Sequence, residues 1–200
     1  MLRNLVGAPP YAHTVLPRRM MTQPGAWWIV LDKGVSAAVN SWHPINSRLL
    51  TVRLRHSLGG LIIIVAYAPT NDSDDNVNDD FYNSLQQTIQ CANPADVILC
   101  VGDFNAVTGT ERDGFRSVIG PCSGIPNDNT ERLLNFCAVS NLRVAGSWFD
   151  RRDIQRNTWY SSDGHTSKEI DHILVNTRWK AVQNCRVCRV WNLTVATADQ

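Results

Sequence analysis

The sequence has no strong excess of charge of either sign. Nineteen lysines and arginines are offset by eighteen aspartates and glutamates, which leaves a formal net charge of +1 over 200 residues. Binding to nucleic acid or to an anionic membrane through charge requires a clustered basic surface. Any such surface on this chain must therefore be local, because the overall composition indicates neither kind of partner.

Long apolar runs are also absent. No run approaches the roughly 20 residues that a membrane-spanning helix needs, so no membrane partner is predicted. Hydrophobic residues make up 44% and charged residues 18% of the chain, as in ordinary globular proteins. The length allows one domain with a sizeable core, and the sequence shows no internal repeat.

The six cysteines do not indicate a disulfide framework. No signal-peptide pattern is seen, so we expect reduced thiols in an intracellular protein. Cys185-x-x-Cys188 is half of a zinc motif, but no second pair stands at a matching distance, and no zinc site is predicted.

Acidic residues are missing before Asp32. Residues 1–25 combine four prolines with three arginines and lack a continuous apolar or amphipathic segment. They are predicted to form a poorly ordered leader rather than a transit peptide. Residues 26–200 are predicted to form one α/β domain.

The most informative stretch is 97–106. Its apolar, β-branched beginning predicts a strand buried on both faces. The strand ends at Gly102, and Asp103 and Asn105 follow two positions apart, on one face of an extended chain while Phe104 packs away. A carboxylate that can accept a proton, beside an amide that can hold a water or a phosphate oxygen, suits hydrolysis. The alternative is a strand followed by an ordinary Asp turn.

Periodicity predicts further strands and two helices. Helix positions are indicated by Phe81, Leu85 and Ile89 at four-residue spacing, and by a possible capping box at 128–131 before an apolar run. Two of the strands, 50–55 and 61–67, should form a hairpin turned by Gly59-Gly60. The remaining predicted strands are 27–31, 34–39, 143–145, 170–175 and 186–191.

Other polar residues stand at strand ends. Asp171 opens an apolar strand, and His172 beside it is interpreted as a structural histidine of the core. Tyr67 closes the longest apolar strand and could simply belong to the core. Thr158-Trp159 and the arginines within 151–156 suit contact with phosphates and bases, although an ordinary solvated loop has the same composition.

Together these strand ends resemble the later motifs of the endonuclease/exonuclease/phosphatase superfamily. Residues 41–50 and 127–137 are similar to the endonuclease region of non-LTR retrotransposons, and equally to craniofacial development protein 2-like proteins. The resemblance runs in order over residues 34–200. The motifs that carry it are Tyr67-Ala68-Pro69-Thr70, Gly102-Asp103-Phe104-Asn105-Ala106, Thr158-Trp159 and Ile170-Asp171-His172-Ile173.

The resemblance implies a four-layer α/β sandwich that cleaves phosphodiester bonds in DNA with Mg²⁺ or Mn²⁺. It makes Asp103 the general base that orients or deprotonates the attacking water, and Asn105 the residue that holds the phosphate and that water. Tyr67 would support the scissile phosphate, and Asp171 would orient a catalytic histidine.

The same resemblance places two residues on the substrate side and one at the metal. Trp159 and Thr70 would contact the nucleic acid, and Asp199 would be a metal ligand. DNA is thus the expected partner, no protein partner is indicated, and a nuclear location is inferred from the substrate alone.

The sequence departs from the family pattern in two places. The family's first segment supplies an asparagine and a metal-binding glutamate, and nothing before Gly34 matches either. The closing Ser-Asp-His motif falls on Ala198-Asp199-Gln200, and glutamine cannot exchange a proton near neutral pH. Because general acid–base catalysis contributes about 10²–10⁴ in rate, low or no activity is expected. The domain is expected to lack its first strands, as a truncated gene or a decayed copy would.

Three functions are therefore compared. The leading one is a metal-dependent endonuclease-like phosphodiesterase domain acting on DNA. The alternative is a catalytically dead retroelement relic that at most binds nucleic acid through Trp159 and residues 151–156. A further alternative is a phosphatase of the same superfamily acting on a small phosphorylated molecule or a lipid headgroup.

Overall fold

The computed structural model describes residues 13–15, 30–56, 59–176 and 182–187. The helices are α1 (Lys33–Ala37), α2 (Asp75–Gln90) and α3 (Asn129–Val139), with 3-10 turns at Ala145–Trp148 and Asp153–Gln155. The strands are β1 (His13–Val15), β2 (Val30–Asp32), β3 (Val39–Asn46), β4 (Leu49–His56), β5 (Gly59–Tyr67), β6 (Val97–Asp103), β7 (Arg143–Val144), β8 (Trp159–Tyr160), β9 (Ser167–Lys168) and β10 (Asp171–Val175).

Six strands form a mixed sheet in the order β3-β4-β5-β6-β10-β7. Neighbours are antiparallel except β5 and β6, which are parallel and are connected through α2. A parallel pair requires such a crossover connection. Two-stranded sheets form from β1 with β2 and from β8 with β9. The predicted α/β class is confirmed.

Helices α2 and α3 cover one face of the six-stranded sheet. Ile64, Cys100 and Leu174 from three different strands lie in one core cluster with Leu85 of α2 and Leu133 of α3, and none of the five is exposed. Burying each of the four leucine and isoleucine side chains contributes about 1.5–3 kcal/mol. This cluster therefore fixes the orientation of the strands on which the candidate site stands.

The opposite face of the sheet carries a second apolar cluster. Val52 of β4 and Ile63 and Val65 of β5 are buried there, together with Leu31 of β2. Val35 of α1 packs against the same residues. Of the predicted leader 1–25, only β1 is described, and it pairs with β2. The segment 30–37 therefore lies on the sheet face that the long helices leave uncovered.

Five predicted strands and both predicted helices are confirmed. The strand predicted to end at Gly102 is β6, residues 50–55, 61–67, 143–145 and 170–175 correspond to β4, β5, β7 and β10, and β4 and β5 form the predicted hairpin. The start of α2 is capped by Asp74, whose Oδ1 accepts from the Asn76 backbone N–H at 2.8 Å. The helices bury the predicted apolar residues Phe81, Leu85, Leu133, Leu134 and Cys137.

The predicted strand at 34–39 is wrong, because most of it lies in α1. Val35, Ala37 and Val39 alternate as in a strand, but Val35 and Val39 are also four residues apart, as on one helix face. Both pack on the second cluster. The true strand, β3, follows at 39–46; it is mostly exposed and contains Pro44, so its apolar pattern is weak.

The hairpin turn is not at Gly59-Gly60, since both glycines lie in β5 and pair with β4. A Cβ on Gly60 would clash with the carboxylate of Asp96, which is buried and pairs with Arg53 at 2.6 Å. The glycine therefore makes room for an ion pair.

Another prediction needs amendment. The capping box expected at 128–131 does not form, because Asp128 already has helical backbone angles and its side chain makes no capping bond. Asn127 N–H donates to Thr130 Oγ1 at 2.8 Å, and Thr130 N–H donates to Asn127 O at 3.0 Å.

Two further predicted strands, 27–31 and 186–191, are described only in part. Residues 30–31 lie in β2, and residues 186–187 are not in a strand. The other residues of both predictions lie outside the described residues.

The described cysteines are free thiols, and Cys100 and Cys137 are completely buried between the sheet and the helices. Cys188 lies outside the described residues. Within the described ranges, no helix combines the length and the apolar character needed to cross a membrane.

We predict that Gly102→Ala destabilises the fold by roughly 2–5 kcal/mol. Gly102 has a φ of 143°, and a Cβ there would collide with the backbone carbonyl of Ala66 in β5. The free energy of unfolding in urea measures the effect. Gly114→Ala is the matched control, because Gly114 also has a positive φ (80°) but has no atom within 4 Å of the added Cβ. Equal losses in the two variants would contradict the steric explanation.

Candidate active site

Tyr67, Asp103 and Asp171 stand in one row across three adjacent strands. Asp103, at the end of β6, is the register partner of Tyr67 in β5 and of Asp171 in β10. The alternating residues Ala66 and Leu174 of the flanking strands belong to the helix-covered core, so the row projects from the opposite face. Backbone pairing therefore brings together three of the predicted residues; we call them the strand-end row.

Asn105 joins the row through a turn rather than through extended backbone. Its φ is 49°, and its backbone N–H donates to Asp103 Oδ1 at 2.8 Å. Its Nδ2 donates to Ala68 O at 2.9 Å. Phe104 is fully buried, as predicted, and its N–H donates to Ile170 O at 2.9 Å. The expected closeness of Asp103 and Asn105 is thus present, but its cause is an Asx turn.

Burial raises the pKa of Asp103 from 3.8 to about 6. The hydrogen bond from the Asn105 backbone N–H lowers this pKa, and the negative charge of Asp171 raises it. Asp103 is half-buried, whereas Asp171 is exposed. A carboxylate that titrates near neutral pH is suited to accept and return a proton.

Asn127 and Asn129 both donate hydrogen bonds to the backbone carbonyl of Asn105. Their Nδ2 atoms donate to Asn105 O at 2.8 and 3.2 Å. Asn127 Oδ1 also accepts from the Val107 N–H at 2.9 Å, and Asn129, only 3% exposed, donates to Pro69 O at 3.2 Å. Sequence reasoning missed both residues. The signal was available as two asparagines next to a helix start, but amides there are usual caps.

Thr158 fixes the first residue of β10. Its Oγ1 accepts from the Asp171 and Ile170 backbone N–H groups, both at 3.2 Å. Its own N–H donates to Lys168 O at 2.9 Å, which connects β10 to the β8–β9 hairpin. Trp159 in that hairpin is 42% exposed, with Lys168 Nζ 6.0 Å from its ring centroid. Trp159 therefore belongs to the hairpin attached to the start of β10 and is not a member of the strand-end row.

Thr70 lies in the loop that follows β5. It is exposed, and its Oγ1 is 3.3 Å from Ser73 Oγ. Neighbouring Asn71 accepts through Oδ1 from Asn127 Nδ2 at 3.3 Å, so this loop is connected to the asparagines behind Asn105. Asp199, the predicted metal ligand, lies outside the described residues, as does Gln200.

The arginines expected to contact phosphate are largely committed to internal contacts. Arg151 forms an ion pair with Glu169 at 3.2 Å, with both side chains 6% exposed, and donates to Gly146 O at 2.6 Å. Arg156 donates to Arg151 O at 3.0 Å. Of the two interpretations of 151–156, contact with phosphate does not apply to Arg151, because its charge neutralises a buried glutamate.

His172 is the structural histidine that the sequence predicts. It is 4% exposed, lies on the face opposite Asp171, and its Nε2 is 2.6 Å from Ala106 O. Its ring packs near Phe104, with centroids 6.3 Å apart. The contact anchors the loop that follows Asp103 and brings no imidazole to the strand-end row.

The oxygen atoms of the strand-end row suit a hard divalent cation. Mg²⁺ is commonly held by one or two carboxylates and otherwise by water and substrate oxygens. Asp103 and Asp171 are two such carboxylates on adjacent strands, and the charge of Asp171 raises the pKa of Asp103. No cluster of three or more His, Cys, Asp or Glu side chains that could hold a metal occurs within the described ranges.

The chain resembles a named group of mammalian proteins in sequence. It is 29% identical over 154 residues to craniofacial development protein 2 of Bos taurus and 28% identical to that of Tragulus javanicus. Each alignment covers 76% of this chain and 26% of the relative, so the chain spans about a quarter of the curated relatives' length. The predicted resemblance to the craniofacial development protein 2-like branch is confirmed. No protein-family model matches the chain.

Several solved structures superpose on part of the chain. The endonuclease domain of TRAS1, a telomere-specific non-LTR retrotransposon, superposes with a TM-score of 0.44 at 11% identity, over 64% of this chain and 48% of that one. A humanized D. rerio TDP2 gives 0.47 at 14% identity, over 83% and 60%. An endonuclease/exonuclease/phosphatase family protein from Leptotrichia buccalis gives 0.41 at 11% identity, over 64% and 40%.

We predict that Asp103→Asn stabilises the protein at neutral pH by on the order of 1 kcal/mol. Because the folded-state pKa of about 6 lies above the ordinary 3.8, ionisation of Asp103 weakens the fold as the pH rises through this interval. The variant should match the wild type near pH 4 and exceed it near pH 7 in free energy of unfolding. The exposed Asp150→Asn is the control. A difference that does not depend on pH would contradict the assigned burial.

We predict that Asn129→Asp lowers the free energy of unfolding by about 1–3 kcal/mol, because Pro69 O loses the Nδ2 donor and a carboxylate replaces a buried amide. Asn105 O loses one of its two donors and keeps Asn127. The exposed Asn83→Asp, on α2, makes the same chemical change and should be nearly neutral. Urea titration at pH 7 measures both variants, and a similar loss in both would exclude a specific role for Asn129.

Proposed function

We propose that this chain is a member of the endonuclease/exonuclease/phosphatase superfamily, in its craniofacial development protein 2-like branch, and that it hydrolyses phosphodiester bonds in DNA with a divalent metal. The strand-end row is the observation that carries the proposal. It sets Tyr67, Asp103 and Asp171 side by side on one sheet face, with Asn105 turned back toward Asp103. The whole relatives are about four times longer, so the proposal concerns this domain.

Asp103 acts as the general base in this proposal. One of its oxygens, Oδ1, accepts the Asn105 N–H, which leaves Oδ2 to take a proton from the attacking water. The pKa of about 6 keeps the group ionised at neutral pH and still basic enough to accept that proton. Activity should therefore rise with pH through about 6.

Asn105 orients the water in this proposal. Ala68 O engages one of the two Nδ2 hydrogens at 2.9 Å, and the side-chain Oδ1 can accept a hydrogen bond from water. The second Nδ2 hydrogen can donate to a phosphate oxygen, so Asn105 can hold both groups, as the resemblance implies. Tyr67 supplies a further donor to the phosphate through its phenol, and Thr70 and Trp159 would contact the flanking nucleic acid.

A divalent cation, Mg²⁺ or Mn²⁺, would be held by the Asp171 carboxylate together with water and phosphate oxygens, so that Asp103 Oδ2 and Asn105 Oδ1 stay available to the attacking water. Such an ion would neutralise the charge that develops on the phosphate oxygens and the leaving group. Hard oxygen donors match that ion class. Asp199 is proposed as an additional ligand on the basis of the family resemblance.

Hydrolysis is expected to be slow. The family register places Gln200 where the resemblance requires a histidine, and glutamine provides no proton transfer. Asp171 therefore has no imidazole to orient in that register, although it still contributes negative charge beside Asp103. Action on DNA implies a nuclear location, which we propose on that ground.

Nicking of supercoiled plasmid, with protein in excess over DNA and with Mg²⁺ present, tests the proposal. We expect slow conversion to open circles by the wild type, loss of that conversion with EDTA, and a rate at least about 10²-fold lower for Asp103→Asn. Because this variant is expected to fold at least as well as the wild type, its loss would report chemistry and not unfolding.

The control is Asp150→Asn, which should nick at the wild-type rate. Equal rates for the wild type and Asp103→Asn would overturn the assignment of the general base. Binding of DNA without any nicking would favour the alternative of a catalytically dead nucleic-acid-binding remnant. Hydrolysis of a small phosphomonoester without nicking would favour the phosphatase alternative.

A further inference from the structure

Arg48 places a positive charge next to the strand-end row. It lies in the turn between β3 and β4, at the same end of the sheet, and its carbonyl accepts the Tyr67 N–H at 3.0 Å. Its guanidinium carbon is 5.4 Å from the centroid of the Tyr67 ring, and its NH1 donates to Tyr67 O at 3.3 Å. The row thus continues from carboxylates through a phenol to a cation.

Five of the described arginines form ion pairs with carboxylates, and Arg48 is not one of them. It makes no ion pair with any carboxylate in the described part of the chain. One hydrogen bond to a carbonyl uses only one of the five N–H donors of a guanidinium. The arginines that do pair with carboxylates are Arg53, Arg116, Arg132, Arg151 and Arg156.

A local cation is needed here on electrostatic grounds. Asp103 and Asp171 repel a polyanion, and the net charge of +1 provides no general attraction. Arg151, the cation that the sequence suggested, is buried against Glu169. Arg48 is half-buried and therefore partly accessible.

We propose that Arg48 binds a backbone phosphate that flanks the scissile one; the proposal rests on the proposed function, since it assumes that the scissile phosphate lies at Asp103. Arg48 stands two strands from Asp103, which is about 10 Å at ordinary strand spacing. Each DNA strand carries one phosphate per about 3.4 Å of helix rise, so a nearby phosphate reaches this distance. Arg48 thereby favours a polynucleotide over an isolated phosphate ester.

The salt dependence of binding to a fluorescent DNA duplex, measured in EDTA to prevent cleavage, tests Arg48. Loss of one phosphate contact should lower the slope of log K against log salt by about 0.9. Arg48→Gln should show this loss and about 5–10-fold weaker binding at low salt, whereas Arg48→Lys should keep the slope. Glutamine retains an N–H donor for Tyr67 O, so thermal unfolding of Arg48→Gln shows whether the fold is intact.

Arg55→Gln is the matched control, because Arg55 is exposed on β4, seven residues from Arg48, and its loss changes the net charge equally. Its slope should equal that of the wild type. The proposal is overturned if Arg48→Gln leaves the slope unchanged, or if Arg55→Gln lowers the slope by the same amount. It is also overturned if Arg48→Lys lowers the slope as much as Arg48→Gln does, or if the wild type does not bind DNA. Binding with the expected slopes but no plasmid nicking would support Arg48 while the proposed catalysis fails.

Discussion

The candidate site depends on the register of β6 between β5 and β10. Tyr67, Asp103 and Asp171 are far apart in the chain, and only backbone pairing sets them side by side. A slip of one residue would turn each side chain to the opposite face of the sheet. His172 shows what that would mean, because it lies one position along β10 and belongs to the core. The aliphatic cluster beneath α2 and α3 holds this register in place.

Helix α3 links the core to the site through its first turn. The helix buries Leu133 and Leu134 against the sheet, while the asparagines at its start hold Asn105. The left-handed conformation of Asn105 is thereby fixed at both of its backbone polar groups. Asp103 accepts from its N–H, and the two amides donate to its carbonyl. Packing of one helix therefore contributes directly to the position of the residue proposed to orient water.

The sequence predicted best where burial and periodicity agreed. The apolar strands β5 and β6 and the helix carrying Phe81 and Leu85 were found because each pattern has one physical interpretation. Residues 33–46 were misassigned because Val35 and Val39 fit both a strand and a helix, and because β3 is exposed and polar. Local pattern cannot separate such cases, which tertiary contacts decide.

For the site, sequence indicated residues but not the reasons for their proximity. Asp103 and Asn105 were expected together through extended backbone, and a turn brings them together instead. Arg151 was expected to meet phosphate, but its partner Glu169 lies 18 residues away, and their ion pair is visible only in the fold. The roles of Asn127 and Asn129 likewise depend on contacts with a loop more than 20 residues earlier.

The buried thiols of Cys100 and Cys137 can be used to measure local opening of the fold. Both thiols are completely buried between the sheet and the helices, and burial raises the pKa of both, so neither reacts in the closed state. A thiol reagent can modify them only when α3 separates from β6. The rate of their modification, compared with that of exposed Cys91, therefore measures how often the support beneath the strand-end row is lost.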